Sequence, residues 1–389
     1  MNKKELTKKY GSPIYIIHES VLKNNFSRLK SSLNKNYLKY QIAYAYKANP
    51  NFAICKIFDK LGAIPEVVGD FEYDLAKKVS KNKRIILNGP YKPRILEAIN
   101  RGNCIINLDN FSEIEKIKDK KIKKDTLIGL RVNADSKNLA KNHFGFGRYD
   151  NSLEQAIKRL KNKKIKISGI HLHIGTNISD INYYNNLLSL VEEVTRLFYK
   201  HNLSLKFIDI GGGFPSRSAS PINFKKWEWN PPEIEEIIKK ISMGLKNIFD
   251  NSNLPLLILE PGRYLVDDSA SLLSTIVANK KVFGVNSLIL DAGIGIFPIN
   301  RNYNLGSSKS KESFDLYGPT CMPQDLIASS QKLKECNPGD VIEFKGCGAY
   351  GDSLSIQFSF YRPPHVLIKI NGQEKVIKRK ERLKDILRN

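Results

Sequence analysis

Cysteine and acidic side chains are what this chain of 389 residues has little of. Its five cysteines, Cys55, Cys104, Cys321, Cys336 and Cys347, are widely spaced and form no CxxC pair. That pattern argues against a disulfide framework or a zinc site and favours reduced thiols in a cytoplasmic protein. The sequence also lacks an apolar run of about 18 residues, which excludes a membrane-spanning helix. Its N-terminal stretch has no apolar core typical of a signal peptide.

The shortage of acidic residues leaves a formal net charge of +24. Such a balance can indicate nucleic-acid or membrane binding. Here, however, the lysines are scattered along every segment, and clusters such as 120–124 and 161–166 are typical of solvated helix ends and loops. We therefore expect neither nucleic acid nor membrane as a partner. The hydrophobic share of 41% is enough for a large core divided between two domains.

Between about residues 40 and 263, short apolar segments alternate with amphipathic ones. The segments with strand character are 41–47, 63–68, 84–88, 104–109, 126–133, 167–174, 205–210 and 256–260. Helical periodicity separates them, as in 151–161, 180–201 and 232–249. Eight strand–helix units of this size predict an α/β fold, a (β/α)8 TIM barrel over residues 25–265.

The pattern changes after Arg263. The later segments with strand character are 274–282, 287–290, 341–344, 353–360 and 366–370, and no helices alternate with them. Residues 13–18 also have strand character and precede the first barrel strand by a helix. The sequence therefore predicts a second, mostly β domain formed by residues 1–24 and 266–389.

Chemically capable residues stand where the predicted barrel strands end. Lys47 ends the first strand, His173 the sixth, the glycines Gly211, Gly212 and Gly213 follow the seventh, and Glu260 with Arg263 follow the eighth. Active sites of such barrels form at the C-terminal ends of the strands, so these groups are expected to meet. They offer an amine, an imidazole, an anion-binding loop, a carboxylate and a guanidinium.

Each of these groups also has an ordinary explanation. A lysine is normally a solvated surface charge, but one at the end of a buried strand needs a partner or loses its proton. A glycine triplet can be a simple turn, yet its N–H groups can approach an anion closely, and Arg263 could pair with a phosphate. Glu260 could form a salt bridge with Arg263 or keep a pyridine nitrogen protonated; the two roles are compatible.

Histidine and cysteine leave open choices. His171 points the same way as His173 by strand alternation, so geometry does not say which of them would stack on a ring, and either could be an ordinary core residue. Cys321 lies in a loop beside Asp325, where a thiol could donate a proton. Taken together, these groups predict binding of pyridoxal 5′-phosphate and carbanion chemistry on an amino acid.

The chain resembles the fold-type III pyridoxal-phosphate decarboxylases, the family of diaminopimelate, ornithine and arginine decarboxylases, whose barrel is of the alanine racemase type. The motifs that carry the resemblance lie at 10–15, 44–50, 61–76, 130–133, 144–145, 171–175, 211–215, 260–263, 291–293, 318–321 and 348–350. The resemblance implies α-decarboxylation of an amino acid through a quinonoid carbanion, in a cytoplasmic homodimer with shared active sites.

The resemblance also implies residue roles. Lys47 would carry the cofactor as a Schiff base, with Glu66 in place of a family aspartate near it. The other implied cofactor contacts are His173 on the ring, Glu260 at the ring nitrogen, and Thr176, Gly211, Gly212, Gly213, Gly262, Arg263 and Tyr350 around the phosphate. Cys321 and Asp325 would come from the neighbouring subunit, and Cys321 would return a proton to Cα.

Departures from the family pattern concern the substrate. Met322 stands where diaminopimelate decarboxylases usually carry a glutamate that reads the distal amine. Phe297 stands where a carboxylate-binding arginine is expected, which is absent or displaced to Arg301. His143 and Gly69 replace a basic residue and a serine. The alternative is therefore a decarboxylase of a derivatised amino acid, including one linked to an acidic carrier protein, in a secondary-metabolite or siderophore pathway. An ornithine or lysine decarboxylase is a lesser alternative, because the residue that would read a distal amine is missing.

Two further classes share the architecture. Alanine racemases place an arginine at the ring nitrogen, and Glu260 argues against that class. Non-catalytic regulatory homologues tend to lose the lysine or the cysteine, and this chain keeps both Lys47 and Cys321.

Overall fold

The structure is a computed structural model that describes residues 2–134, 142–218, 220, 229–250, 253–297, 305, 312–333 and 336–387. The strands are β1 (Ile14–His18), β2 (Tyr40–Ala45), β3 (Ile64–Val67), β4 (Ile85–Leu87), β5 (Cys104–Leu108), β6 (Leu127–Val132), β7 (Ile167–Leu172), β8 (Phe207–Asp209), β9 (Leu256–Leu259), β10 (Ala270–Val282), β11 (Val285–Leu290), β12 (Ser313–Tyr317), β13 (Leu326–Lys332), β14 (Val341–Lys345), β15 (His365–Ile368) and β16 (Glu374–Lys378). The helices are α1 (Lys3–Tyr10), α2 (Glu19–Asn36), α3 (Phe52–Leu61), α4 (Asp70–Val79), α5 (Ile95–Arg101), α6 (Phe111–Ile117), α7 (Ser152–Asn162), α8 (Tyr183–Lys200), α9 (Ile234–Ile248), α10 (Arg263–Val266) and α11 (Leu383–Leu387).

The chain divides into two compact units. The barrel unit comprises Phe26–Pro215 and Pro231–Gly262, and the sheet unit comprises Met1–Asn25, Ser216–Asn230 and Arg263–Asn389. None of the helices in the described ranges is both long enough and apolar enough to cross a bilayer.

Strands β2 to β9 of the barrel unit form a closed parallel barrel in chain order. All eight predicted barrel strands are present, so the fold-class prediction is confirmed. An apolar layer of Ala43, Ile64, Ile86, Ile105, Phe207 and Ile258 packs inside the barrel. This layer is the floor on which more C-terminal, inward-pointing residues lie, because side chains two positions apart on a strand share a face.

The outer helices follow from amphipathic spacing. Helix α9 buries Ile234, Ile237, Ile238 and Ile241, which recur at three- and four-residue intervals. A capping box formed by Glu233 and the residue three positions later satisfies backbone donors at its N-terminus. The helix therefore begins two residues later than the predicted range of 232–249.

The sheet unit contains strands in the order β13-β12-β11-β10-β1-β15-β16, with β14 also paired to β10. Strand β1 runs antiparallel to β10 and parallel to β15, so this N-terminal strand belongs to the sheet unit. Strands β12, β13 and β16 were not predicted. Strands β13 and β16 contain no buried residue, whereas β12 alternates in burial but is only five residues long.

The predicted strand at 353–360 is wrong. The segment turns instead of extending: Ser355 N–H donates to the carbonyl oxygen of Asp352. The Arg362 guanidinium then donates to the Ser355 carbonyl and hydroxyl oxygens and to Gln357 Oε1. These contacts fold the segment back on itself, so an arginine outside the apolar run decides its conformation.

Candidate active site

A buried polar layer lies directly above the apolar floor of the barrel. Its members are Glu66, Asn88, Asn107, Asp209 and Glu260, all buried. Each lies two residues beyond a floor residue on the same strand or its C-terminal extension, and therefore points inward. The layer thus lies at the barrel end where active sites of this architecture form.

Lys47 lies in a short 3₁₀ turn, Tyr46–Ala48, directly after β2. Its Nζ is 2.8 Å from Glu66 Oε2. The Lys47 side chain is 40% exposed, whereas that of Glu66 is fully buried. Gly262 packs beneath this turn, where a Cβ would come within 2.9 Å of the Ala48 Cβ. The turn therefore presents the amine toward open space and anchors it on a buried carboxylate.

Burial dominates the electrostatics of Glu66. It raises the pKa of Glu66 to about 7, although Lys47 favours the charged carboxylate, and the neighbouring Glu260 raises it further. Asn88 Nδ2 donates to Glu66 Oε1 at 3.0 Å. The lysine amine is thus held by a carboxyl group whose charge is finely balanced near neutral pH.

Glu260 is the most strongly ionised acid of the layer. Burial alone would raise its pKa, but His171, Lys47 and a hydrogen bond from Asp209 hold the pKa below its usual range. Asn88 Nδ2 donates to Glu260 Oε1 at 2.6 Å, and His171 Nε2 is 3.5 Å from Oε2. A permanent carboxylate in this place suits a positively charged ring nitrogen.

The structure separates the two histidines. His171 is buried beside Glu260. His173 lies at the glycine loop, where its Nδ1 accepts from Gly212 N–H at 3.4 Å. Burial, followed by the charge of Lys47, lowers the pKa of His173 to about 3, so its ring is neutral and available for stacking.

The glycine loop, residues 211–213, has no room for side chains. Gly211 and Gly213 have φ values of 66° and 87°, which favour glycine. A Cβ on Gly212 would lie 2.5 Å from the Glu260 carbonyl oxygen, and one on Gly213 would lie 2.5 Å from that of Gly175. The loop therefore places bare backbone against the ends of the neighbouring strands, as an anion cradle requires.

Arg263 and Tyr350 belong to the sheet unit. The Arg263 guanidinium carbon lies 5.0 Å from the centre of the Tyr350 ring. Arg263 Nε is buried and, within the described ranges, has no hydrogen-bond partner. A buried guanidinium with an unused donor fits an anionic ligand. Thr176, the other predicted phosphate contact, is exposed in the loop after β7.

The cysteine loop, residues 318–325 of the sheet unit, is closed by a carboxylate. Asp325 is 1% exposed and accepts hydrogen bonds from Ile294 N–H at 2.6 Å and from Thr320 N–H at 3.0 Å. The Thr320 hydroxyl donates to it at 2.5 Å. Cys321, by contrast, is exposed. Asp325 therefore fixes the shape of the loop, and the loop presents the thiol to solvent.

The residues that departed from the family pattern occupy different environments. Met322 and Thr320 line an apolar cavity of about 630 Å³ in the sheet unit. Phe297 is 3% exposed and packs edge-on against Phe344 in the sheet core, with ring centres 4.7 Å apart. Position 297 thus faces the core rather than a ligand. The predicted alternative at Arg301 lies outside the described residues.

Sequence reasoning missed Asn88, Asn107 and Asp209 as site residues, although the signal existed. In β4, β5 and β8 an apolar residue of the floor is followed, two positions later, by an amide or acid. Asp209 was recognised only as part of the strand before the glycine triplet. A polar residue at the end of a buried strand deserves the same weight as the lysine at position 47.

The donor set fits pyridoxal phosphate. The barrel unit offers an accessible lysine amine on a carboxylate, a buried ionised glutamate and a neutral histidine against a glycine loop. The sheet unit, taken by itself, offers an arginine whose Nε has no hydrogen-bond partner among the described residues. The cofactor is an aldehyde bearing a basic ring nitrogen and a phosphate, and these groups match it in kind.

Comparisons with known proteins agree with this fit. Residues 20–267 match the family model of the pyridoxal-dependent decarboxylase pyridoxal binding domain, and residues 263–348 match the C-terminal sheet domain of the same enzymes. The diaminopimelate decarboxylase of Methanothermobacter thermautotrophicus is 28% identical, over 99% of this chain and 92% of that protein. That of Helicobacter pylori is 26% identical, over 100% and 97%.

Solved structures show the same relationship. The crystal structure of diaminopimelate decarboxylase from Methanocaldococcus jannaschii superposes with a TM-score of 0.88 at 26% identity, covering 99% of this chain and 93% of that one. The matching models span most of both units and include the lysine turn, the glycine loop and the cysteine loop. The chain therefore belongs to the pyridoxal-dependent decarboxylase family, and its cofactor is pyridoxal phosphate.

Proposed function

We propose that this decarboxylase removes one carboxyl group of diaminopimelate. The observation that carries the proposal is the polar layer of the barrel with Lys47 beside it: Lys47 is the partner for an aldehyde, and Glu260 is the partner for a ring nitrogen. Support for the substrate comes from relatives named diaminopimelate decarboxylase that match nearly the whole chain.

Bound pyridoxal phosphate supplies an electron sink for the electron pair left on Cα when CO₂ departs. The chain's own residues hold and orient that group. The Lys47 amine attaches it, with Glu66 fixing Nζ at 2.8 Å. Glu260 provides the negative partner for the ring nitrogen, and the neutral ring of His173 provides a stacking surface.

The phosphate partners in this proposal are the glycine loop, Gly262, Thr176, Arg263 and Tyr350. Support comes from the bare backbone of residues 211–213 and the buried, unused Nε donor of Arg263. Tyr350, which lies against that guanidinium, limits where it can point.

Cys321 is the proposed proton donor to Cα after CO₂ leaves. Its exposure, on a loop held from behind by Asp325, suits a thiol that acts on a site in another subunit. Asp325 then acts as a positioning residue for Cys321. The proposed active unit is a head-to-tail homodimer with shared sites.

A second candidate substrate is an acylated or carrier-linked amino acid. The apolar cavity beside Met322 favours it, because an acidic residue would be expected there for a distal amine. The net charge of +24 would suit an acidic carrier. The named relatives favour free diaminopimelate over this candidate.

The test is a side-by-side measurement of CO₂ release from meso-diaminopimelate, ornithine, lysine and a glutamyl-carrier protein. We expect diaminopimelate to reach a kcat/KM of about 10⁴ M⁻¹s⁻¹ or more, with the others well below it. A matched Met322→Glu variant should improve diaminopimelate turnover if that position reads the distal amine. Preferred turnover of the carrier-linked substrate would overturn the proposal.

A further inference from the structure

Two carboxyl groups of the polar layer face each other. Asp209 on β8 and Glu260 after β9 are both buried. Their carboxylate oxygens and a ring nitrogen of His171 all lie within 4.8 Å of one another. Two buried carboxylates this close do not both ionise, because neither solvent nor distance separates their charges. One of them must hold a proton near neutral pH.

The hydrogen-bond partners identify which one. Glu260 Oε1 accepts from Asn88 Nδ2 at 2.6 Å, and this short hydrogen bond supports its negative charge. Asp209 Oδ1 accepts from Gly211 N–H at 2.9 Å, whereas the one hydrogen-bond donor to Oδ2 among the described residues is Asn107 Nδ2, at a long 3.5 Å. Oδ2 of Asp209 is therefore the atom with room for a proton.

The surrounding charges agree with this assignment. The other titratable groups that interact with the pair are Glu66, Arg131, His171, His173 and Lys47, the last two through Glu260. Burial, and then the charge of Glu260, raises the pKa of Asp209 well above its ordinary value. Burial also lowers the pKa of His171, which favours the neutral imidazole. His171 therefore does not supply a positive charge that would let both acids ionise.

We propose that Asp209 is a positioning residue that keeps a proton on Oδ2 and donates a hydrogen bond through it to Glu260. This hydrogen bond keeps the Glu260 carboxylate ionised and fixed in place. The placement of the proton stands by itself. Its consequence for the cofactor, a rigid carboxylate facing the ring nitrogen, rests on the proposed function. The donated proton stays between the two acids and is not consumed in a reaction.

Asn88 and Asn107 extend this arrangement toward Lys47. Asn88 Nδ2 donates to both Glu66 and Glu260, and its Oδ1 accepts from Asn107 Nδ2 at 2.9 Å. The orientation of the Asn88 amide is fixed by these partners. Asp209, Glu260 and Glu66 are thus joined through two amides, and the lysine end of the site is held by the same network.

The variant Asp209→Asn mimics the protonated acid. Its Oδ1 can still accept from Gly211 N–H, and its Nδ2 can still donate to Glu260. Wild-type Asp209 takes up a proton on folding that an unfolded aspartate, with a pKa of about 3.9, does not hold. Its contribution to stability is therefore largest at low pH and is lost as the pH rises toward its folded-state pKa. Because asparagine does not titrate, the Asp209→Asn protein should not show this loss of stability as the pH rises.

The first measurement is infrared difference spectroscopy of the full chain, with and without cofactor, using aspartate labelled at its side-chain carboxyl carbon. We expect a protonated-carboxyl band at neutral pH that Asp209→Asn removes. Asp325→Asn is the matched control. Asp325 is also buried, but its hydrogen-bond partners are backbone N–H groups and a hydroxyl rather than another acid, so the Asp325→Asn protein should retain the band. If wild type shows no protonated-carboxyl band, or if the Asp209→Asn protein shows the same band as wild type, the proposal is overturned.

The second measurement is thermal unfolding against pH. The difference in melting temperature, Asp209→Asn minus wild type, should increase by at least about 2 °C as the pH is raised from about 5 to about 8. Asp209→Ala, which cannot donate to Glu260, should melt below wild type throughout. An Asp209→Asn protein that fails to fold would also contradict the proposal, because the amide keeps both contacts.

The cofactor consequence is tested by pyridoxal phosphate affinity against pH. Wild-type affinity should fall at alkaline pH as Asp209 loses its proton, and Asp209→Asn should lack this fall. An identical fall in both proteins would refute the role toward Glu260. If wild type binds no pyridoxal phosphate, the proposed function fails, while the infrared band still decides where the proton lies.

Discussion

Two buried aspartates of this protein, one in each unit, show that burial alone does not define a role. Asp209 in the barrel unit faces another acid, whereas Asp325 in the sheet unit faces backbone and hydroxyl donors. The first arrangement leaves a proton to be shared and a neighbouring carboxylate available to a ligand. The second is complete in itself and fixes a loop. Functional carboxylates are thus recognised by what their partners leave unsatisfied.

The largest effect should come from Lys47, the accessible amine of the barrel unit. Lys47→Ala removes the attachment point of the cofactor, so turnover should fall to background while the fold persists, because 40% of this side chain is exposed. CO₂ release and the visible absorbance of the purified protein measure both effects. Lys77→Ala, a surface lysine paired with Asp74 and Glu97, is the control and should behave as wild type.

The Cys321 variant should have the next largest effect, and it sharpens the comparison because the proposed proton donor belongs to the sheet unit. Cys321→Ala should retain cofactor but lose about 10²- to 10⁴-fold in turnover, the range for loss of a positioned proton donor. Product analysis should then show protonation at the wrong atom. An unchanged rate and product would contradict the role.

A mixture of Lys47→Ala and Cys321→Ala proteins tests whether the two units act across subunits. After proven subunit exchange, hybrid dimers should restore up to about a quarter of wild-type sites. Absence of recovery would contradict a shared site.

Glycine substitutions separate backbone strain from a functional cradle. Gly213→Ala combines a positive φ with a contact of 2.5 Å to the Gly175 carbonyl oxygen, whereas Gly284→Ala has a similar φ of 81° and open space around it. Both should lose about 1–2 kcal/mol in free energy of unfolding from strain. Only Gly213→Ala should lose more stability and bind pyridoxal phosphate weakly. Equal effects in the two variants would contradict the cradle.

The smallest effect should be that of Asp325→Asn. The asparagine NH₂ group, a hydrogen-bond donor, would replace a carboxylate oxygen that accepts from these donors. This mismatch should cost about 1–3 kcal/mol of unfolding free energy. Because the loop carries Cys321, kcat should fall while cofactor affinity stays unchanged. Denaturant unfolding and cofactor titration measure the two consequences; a variant with wild-type stability would show that the loop is held by other contacts.

The barrel was predictable because its strands are short, apolar and regularly spaced, and Lys47, Glu260 and the glycine loop stood out at their ends. Asn88, Asn107 and Asp209 were not identified, since a polar residue after an apolar strand looks like the start of a loop. Only closure of the barrel brings such residues together over the apolar floor. The edge strands β13 and β16 were missed for the opposite reason, because strands without buried residues carry little periodic signal.

The central claim is that the polar layer of the barrel unit binds pyridoxal phosphate through Lys47. Borohydride reduction of the purified holoprotein, followed by mass spectrometry of its peptides, tests it most directly. The account predicts a single phosphopyridoxyl group on the peptide that contains Lys47. A tag on another lysine, for example Lys92, which is buried against Glu113, or no fixed tag at all, would contradict it.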